Sequence, residues 1–199
     1  MRRILLLAVL ALPACDMLSP SATAPASAPP KAKAPSAAAP APAPAAGASG
    51  HGPQIVLGQA SGAAGQRVKV SATLRSGGQS IAGTQNDIAF APSQVAIAAN
   101  AKGRPDCTAN GALQKEGTAF SFLPSGCKPG SCTSVRALVL SLSNVEPIDD
   151  GAVLYTCQVQ IAAGASGTQP LSLSHVGFSS PKGGEISGGG VNGSVSIGK

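Results

Sequence analysis

Apolar and polar residues alternate along short segments of the chain from residue 54 onward. Residues 68–74 (VKVSATL) alternate regularly, and residues 153–161 (VLYTCQVQI) put Tyr155 and every second residue after it on an apolar side. Successive side chains of a strand point to opposite faces, so this is the pattern of a strand with one face buried. We therefore predict that Tyr155, the only tyrosine, faces a core.

Further segments of this kind are bounded by Gly, Asn and Pro, and no amphipathic helix of useful length interrupts them. Together they predict about nine or ten short strands: residues 55–57, 68–74, 81–90, 95–98, 118–123, 135–143, 153–162, 170–174, 176–179 and 193–197. Many short strands with evenly spaced turns indicate an all-β sandwich or barrel. Residues 53–199 are enough to bury the core of such a domain.

The first fifteen residues have the pattern of an export signal. Two arginines precede the apolar run 4–12, which is too short to span a bilayer, since that needs about 20 residues. Residues 12–15 (LPAC) resemble the lipobox of bacterial lipoprotein precursors. The resemblance implies a signal peptide over residues 1–14, lipidation of Cys15, and a protein exported and lipid-anchored to the cell envelope, periplasmic or at the outer surface. Ordinary secretion with cleavage elsewhere is the alternative.

Residues 15–52 join this signal to the domain. From residue 19 onward the segment is dominated by Pro and Ala, with Pro every few residues. Such spacing forbids a continuous helix and supplies no apolar face for a core. We predict a disordered Pro/Ala linker, either a stalk that holds the domain clear of the lipid surface or a passive connection.

Charge and aromatic content exclude one class of partner. Residues 53–199 contain ten Lys and Arg and seven Asp and Glu, a net charge of +3, and these residues are scattered. The chain has no Trp, one Tyr and four Phe. Nucleic-acid binding needs a clustered basic face, usually with stacking groups for single strands. We expect no nucleic-acid partner.

Four cysteines lie in the predicted domain, an even number for an oxidising compartment. Disulfides are therefore expected, and three pairings are possible. Cys127 and Cys132 enclose four residues and can close a tight loop, which leaves Cys107 to reach Cys157 on the central strand. This pairing is favoured, and the other two stay open.

Neither a metal centre nor a catalytic site is indicated. The cysteine spacings are not those of zinc ligands, and His51 and His175 are isolated in the sequence. Asp149 and Asp150 are the only adjacent carboxylates, a pair that typically caps a turn. Nucleophile elbows, zinc-protease motifs and phosphate loops are all lacking. We predict a non-catalytic protein without cofactor.

Five segments, in order along the domain, resemble sequence motifs of cohesin domains. Residues 82–95 (AGTQNDIAFAPSQV) resemble the cohesin stretch in which a strand with an aspartate leads to an aromatic residue and then to D-P-S-x-L. The other four are residues 65–70 (GQRVKV), 149–155 (DDGAVLY), 163–171 (AGASGTQPL) and 190–197 (GVNGSVSI), which resemble G-x-x-V-x-V, D-G-x-L-F, A-x-A-x-G-T-Y-P-L and V-N-G-x-V-x-I. Two features depart from the family: Ala91 replaces the usual aspartate, and the four cysteines are additional.

The resemblance implies a jelly-roll β-sandwich over residues 53–199 and a binding role. Cohesins hold dockerin modules, which are carried on polysaccharide-degrading enzymes, on one face of the sandwich. Gln85 and Asp87 occupy the corresponding face here, opposite in direction to Asn86 and Ile88, and are the predicted contact residues. Direct binding of polysaccharide is one alternative, which the lack of Trp disfavours, and a structural envelope protein without a specific ligand is the other.

Overall fold

A computed structural model describes residues 52–198. The predicted signal peptide (residues 1–14), Cys15, His51 and residues 15–51 of the predicted linker lie outside the described residues. Among the residues described, no helix is long and apolar enough to cross a membrane.

Residues 52–198 form thirteen strands and one short 3₁₀ helix (Gly111–Leu113), and contain no α-helix. In chain order the strands are β1 (Gln54–Leu57), β2 (Gln59–Ala63), β3 (Arg67–Arg75), β4 (Gly83–Ala89), β5 (Val95–Ile97), β6 (Cys107–Ala109), β7 (Ala119–Leu123), β8 (Ser134–Val139), β9 (Val153–Ile161), β10 (Gly167–Ser179), β11 (Glu185–Ile186), β12 (Gly189–Val191) and β13 (Gly193–Gly198).

The strands form two sheets. The first has the order β12-β1-β3-β9-β5, with β6 also paired to β9. The second has the order β2-β13-β10-β4-β8-β7, with β11 paired to β10. Most neighbours are antiparallel, as in a meander or Greek key, and one side of each sheet is buried against the other.

The two ends of the domain run side by side and switch sheets together. β1 pairs in parallel with β12 in the first sheet, and β2 pairs in parallel with β13 in the second. The chain therefore crosses between sheets at Gly58 and again at Asn192, at the same level of the sandwich. This double crossing gives the jelly-roll arrangement and ties the sheets together at one corner.

The core lies between the sheets and is built from aliphatic side chains that alternate with outward residues. Its fully buried members include Ile55, Leu74, Leu154, Val159 and Ile161 from the first sheet, and Ile88, Val135, Val139, Leu171 and Val195 from the second. Burial of one such side chain contributes about 1.5–3 kcal/mol. The alternating sequence pattern is thus explained by the two facing sheets.

Tyr155 is 1 % exposed, so the prediction that it faces the core is confirmed. Its hydroxyl donates a hydrogen bond to Oδ1 of Asn86, 2.9 Å away, and its ring meets that of Phe120 edge-on at a centroid distance of 5.3 Å. Burial raises the pKa of Tyr155 above its usual value. The hydrogen bond between Tyr155 and Asn86 joins β9 to β4 across the core.

The strand count differs from the sequence prediction for a physical reason. Four strands carry no apolar alternation and are therefore missing from the prediction: β2 (QASGA), β6 (CTA), β11 (EI) and β12 (GGV). They form because neighbouring strands offer backbone hydrogen-bond partners. Conversely, the predicted strands 170–174 and 176–179 belong to one long strand, β10, with an irregularity between Ser174 and Gly177. The all-β sandwich itself is confirmed.

Two disulfides join the cysteine pairs that the sequence favours. Cys107 on β6 and Cys157 on β9 are directly opposite in the sheet, with Cα atoms 4.0 Å apart. Cys127 and Cys132 close part of the loop between β7 and β8, with Cα atoms 5.3 Å apart. The first bridge therefore holds an edge strand on the sheet, and the second constrains one loop.

Candidate functional site

The outward side of strands β10, β4, β8 and β7 is an accessible surface of small and polar side chains, which we call the outer face. The register places Asp87 opposite Arg136 on β8 and opposite Ser174 on β10, and Arg136 opposite Ser121 on β7. The rows on either side are Ser172, Ala89, Ser134 and Leu123, and Gly177, Gln85, Leu138 and Ala119.

A paired carboxylate and guanidinium occupy the centre of the outer face. Arg136 donates from Nε to Oδ1 of Asp87 at 2.7 Å and from Nη2 to Oδ2 at 2.8 Å. Side chains directly opposite on antiparallel strands are close enough to pair in this way. The two parallel bonds fix the plane of the guanidinium, which is a stronger and more directional arrangement than a single contact.

His175 completes this ion group from the neighbouring strand. β10 gains extra length between Ser174 and Gly177, and His175 adopts a positive φ of 49° there. Because of this bulge, the imidazole lies on the outer face with Nδ1 3.0 Å from Oδ2 of Asp87. A ring nitrogen at this distance can donate a hydrogen bond to the carboxylate when it carries a proton. His175, which is isolated in the sequence, thus contacts Asp87 in the folded domain.

The three side chains differ greatly in exposure. The side chain of Asp87 is 6 % exposed, whereas those of Arg136 and His175 are 43 % and 69 % exposed. The hydrogen bond from Arg136 holds the pKa of Asp87 below its ordinary value, although burial acts in the opposite direction. Asp87 in turn raises the pKa of Arg136. The carboxylate is therefore ionised and covered, whereas the guanidinium of Arg136 and the imidazole of His175 face the solvent.

Gln85 and Asp87 lie on the same face, with Asn86 and Ile88 buried in the core, as the alternation of β4 indicates. Gln85 is half-buried, opposite Leu138, and its contact role stays a prediction. Asp87 is bonded through both oxygens to its own domain. Its contact role also stays a prediction, but the geometry gives it a second one, that of positioning Arg136.

The sequence did not single out Arg136, and His175 was considered only as a metal ligand. The outward direction of Arg136 is readable from the alternation of Val135, Ala137 and Val139 around it. Its position opposite Asp87 depends on how β8 pairs with β4, and that pairing joins residues 49 apart in sequence. The sequence prediction interrupts the strand at residue 175, but it does not indicate the bulge within one continuous strand that turns His175 outward.

A groove of about 280 Å³ opens at one end of the outer face. Leu138 and Leu140 line it on the side of β8, and Gly83 and Gly177 contribute no side chains to fill it. The turn before β11 closes the far side through Gly183 and Glu185. The groove supplies an apolar recess one row from Arg136.

The loop that follows Leu140 carries exposed apolar side chains on a rigid base. Lys115 is buried and donates from Nζ to the carbonyl oxygens of Asn144 and Glu146, both at 2.8 Å. Its burial lowers the pKa of this amine. Leu142 and Val145 of the loop are 93 % and 48 % exposed. Lys115 therefore acts as an internal clamp for a loop that presents apolar residues to the solvent.

Among residues 52–198, His, Cys, Asp and Glu nowhere come together in a group of three that could hold a metal ion. The adjacent carboxylates singled out in the sequence lie in a turn, where Asp150 accepts a hydrogen bond from the backbone N–H of Ser76 at 2.5 Å. This bond lowers the pKa of Asp150.

Replacing Asp87 by asparagine is expected to lower the free energy of unfolding at pH 7 by about 1–3 kcal/mol, because charged hydrogen bonds to Arg136 are lost. The folded-state pKa of Asp87 is depressed, so its contribution is complete above pH 4 and disappears as the pH falls through the lower folded value. Urea unfolding of wild type and Asp87→Asn from pH 7 to pH 2 should therefore give curves that converge in acid.

The exposed Asp149 provides the control, since Asp149→Asn removes a carboxylate for which the structure shows no side-chain hydrogen bond. This variant should follow the wild type over the whole pH range. A constant difference between wild type and Asp87→Asn down to pH 2 would contradict the assigned role of the Asp87–Arg136 pair.

Comparison with known proteins gives a clear result for the fold. No protein-family model matches the sequence. No curated protein matches it either. Solved structures do match: the sixth cohesin of scaffoldin B from Acetivibrio cellulolyticus, in complex with a Cel5 dockerin variant, is 15 % identical, with a TM-score of 0.59 over 74 % of this chain and 99 % of that one.

Two further solved structures are also similar to this domain. A chain of a type I cohesin–dockerin complex from Clostridium thermocellum is 16 % identical, with a TM-score of 0.57 over 73 % of this chain and 99 % of that one. A non-cellulosomal cohesin from the archaeon Archaeoglobus fulgidus is 11 % identical, with a TM-score of 0.54 over 74 % and 92 %. At such identities the similarity establishes the fold: the described domain is a cohesin-like jelly roll, as predicted from the sequence motifs.

Proposed function

We propose that this chain is a non-catalytic binding protein of the cell envelope whose outer face holds a dockerin-type protein module. The observation that carries the proposal is the cohesin-like fold, because solved chains with that fold include cohesins in complex with dockerins. The outer face supports it, since a fixed guanidinium and an adjacent apolar groove are the kinds of groups that anchor protein interfaces. A link to polysaccharide degradation would follow from the enzymes that carry dockerins.

The titratable groups support a binding role rather than a catalytic one. The hydroxyl of Tyr155, the amine of Lys115 and the carboxylates of Asp87 and Asp150 all have displaced pKa values. Each of them is engaged by a hydrogen-bond partner within the fold. Burial accounts for the displaced pKa values of Tyr155 and Lys115, and hydrogen bonds within the fold account for those of Asp87 and Asp150. These displacements therefore have structural causes and do not need a catalytic role to explain them.

We further propose that Cys15 is lipidated and that residues 15–52 tether the exported domain to a membrane. The support is the sequence of residues 1–15, with its basic start, apolar run and LPAC motif. Two or more acyl chains anchor a protein stably. Wild type should partition into the detergent-rich phase of a Triton X-114 extract and Cys15→Ala into the aqueous phase. A wild type found in the aqueous phase would contradict the anchor.

Binding of dockerins tests the proposed function directly. Biolayer interferometry of the purified protein against a panel of dockerin modules, including those encoded by the same organism, should detect at least one saturable complex. Gln85→Arg, on the outer face, is expected to weaken this complex about tenfold or more, because a bulky cation displaces the contact. Gln158→Arg is the matched control, since Gln158 faces outward on the first sheet and is half-buried as well.

Failure of every dockerin to bind would reject the proposal. Retention on insoluble polysaccharide in place of dockerin binding would select the carbohydrate-binding alternative. That alternative is disfavoured, because Tyr155 and Phe178 are buried and sugar sites commonly stack rings on exposed aromatic side chains. If Gln85→Arg and Gln158→Arg change the affinity for the dockerin equally, the contact does not lie on the outer face.

A further inference from the structure

The charged group that the centre of the outer face presents to a partner is the guanidinium of Arg136, not the carboxylate of Asp87. Both oxygens of Asp87 are already used, by Nε and Nη2 of Arg136 and by Nδ1 of His175. With its side chain 6 % exposed, this carboxylate has little surface left for a partner. A partner that approaches the centre therefore meets Arg136 and His175 rather than Asp87.

Arg136 retains a complete donor edge. A guanidinium has five N–H groups, and Asp87 takes one from Nε and one from Nη2. Three N–H groups remain, and two of them, one on Nη1 and one on Nη2, form an edge that Asp87 does not occupy. That edge can form a second pair of parallel bonds to a carboxylate. The pairing with Asp87 also holds the side chain in place before binding, which reduces the entropy lost on association.

The surroundings of Arg136 favour an acidic partner. Ser121 and Ser174, which flank the central pair, are exposed and neutral, and His175 lies beside Asp87. The negative charge of Asp87 is compensated by Arg136 itself, and residues 53–199 carry a net charge of +3. Complementary charge across an interface gives specificity and speeds association.

We propose that Arg136 determines the specificity of the outer face by binding an aspartate or glutamate side chain of the partner protein. This inference rests on the proposed function and names the partner chemistry at that site. Asp87 acts in this proposal as a positioning residue, which orients Arg136. The groove beside Leu138 lies one row further along β8, so an aliphatic partner side chain about 7–10 Å from the carboxylate fits the same surface.

A partner-independent selection tests this chemistry. Random dodecapeptides displayed on phage are selected on the purified wild-type protein and counter-selected on Arg136→Met. The enriched peptides should share an Asp or Glu. A synthetic peptide of the consensus should bind wild type, and its affinity should fall about tenfold or more when its acidic residue is replaced by the corresponding amide.

Arg136→Lys keeps the domain folded, because lysine still neutralises Asp87, but it cannot offer two parallel N–H groups. We expect it to weaken binding of the consensus peptide about fivefold to tenfold. Arg67→Met is the control: Arg67 is an exposed arginine of the first sheet that also contacts an aspartate. The affinity of the Arg67→Met variant for the consensus peptide should equal that of the wild type.

Several results would overturn the inference: enriched peptides without a shared acidic residue, no enrichment over the counter-selection, or equal binding by wild type and Arg136→Lys. Self-association of the wild type that Arg136→Lys abolishes would assign the face to a second copy of this chain. If a dockerin binds wild type and Arg136→Lys equally, the inference fails and the proposed function stands. If acidic peptides depend on Arg136 and no dockerin binds, the proposed function fails instead.

Discussion

Replacing Cys107 and Cys157 together by alanine is expected to lower the free energy of unfolding by about 4 kcal/mol. The bridge joins residues 50 apart in sequence, so in the unfolded chain it restricts a long loop. It also fixes β6, a strand of only three residues, to the buried Cys157 of β9. Because domains of this size are stable by about 5–15 kcal/mol, the loss is a large share of the total.

Removal of the second bridge gives an internal control for this prediction. Cys127 and Cys132 are only 5 apart in sequence, and the same loop-entropy relation predicts a loss of about 2 kcal/mol for the double alanine variant. Equilibrium unfolding in urea, without reductant, measures both values. A loss below 1 kcal/mol for Cys107 and Cys157, or a larger loss for the short loop, would contradict the entropic account.

The parts of the fold that follow from local patterns were predictable. Alternation along residues 153–161 placed Tyr155 in the core, and the same reasoning assigned β3, β4 and β8. The four strands that were missed lack this pattern, because their stability comes from backbone pairing with neighbours rather than from an apolar face. β12, with the sequence GGV, exists beside β1 because β1 offers it unpaired backbone groups.

The candidate site was predictable only in part. The sequence indicates that Asp87 points outward, since Asn86 and Ile88 beside it are the buried neighbours. It does not indicate that Arg136 lies opposite, because strand register depends on contacts across the whole sheet. The bulge at His175 changes the direction of one side chain within β10 and is equally non-local. The sequence therefore does not indicate that Asp87 is covered while Arg136 and His175 face the solvent.

Residues 190–197 resemble the cohesin motif V-N-G-x-V-x-I, and the structure explains why glycine is needed at position 193 of this segment. Asn192 accepts a hydrogen bond at Oδ1 from the backbone N–H of Leu173, 2.8 Å away, where the chain crosses to β13. The next residue, Gly193, is buried at this crossing and lies against Leu57 and Gly58, where the first crossing occurs. Two chain segments thus pass each other at a point that has no space for a side chain.

Gly193→Ala is therefore expected to lower the free energy of unfolding by about 3 kcal/mol, because overpacking at a site that cannot relax costs this much. The added Cβ would lie 2.8 Å from Cβ of Leu57 and would also meet the carbonyl oxygen of Gly58, a backbone atom that cannot rotate away. The φ of Gly193 is not in the left-handed region, so lack of space and not backbone strain is tested.

Gly189→Ala is the matched control, because Gly189 lies on β12 close to the same corner and an added Cβ meets nothing within 4 Å. The stability of Gly189→Ala should stay within about 0.5 kcal/mol of the wild type, because this half-buried position has room for the methyl group. Thermal and urea unfolding of both variants measure the difference. If Gly193→Ala proved as stable as Gly189→Ala, the corner would have room to spread, and the two crossings would not be what ties the sheets together.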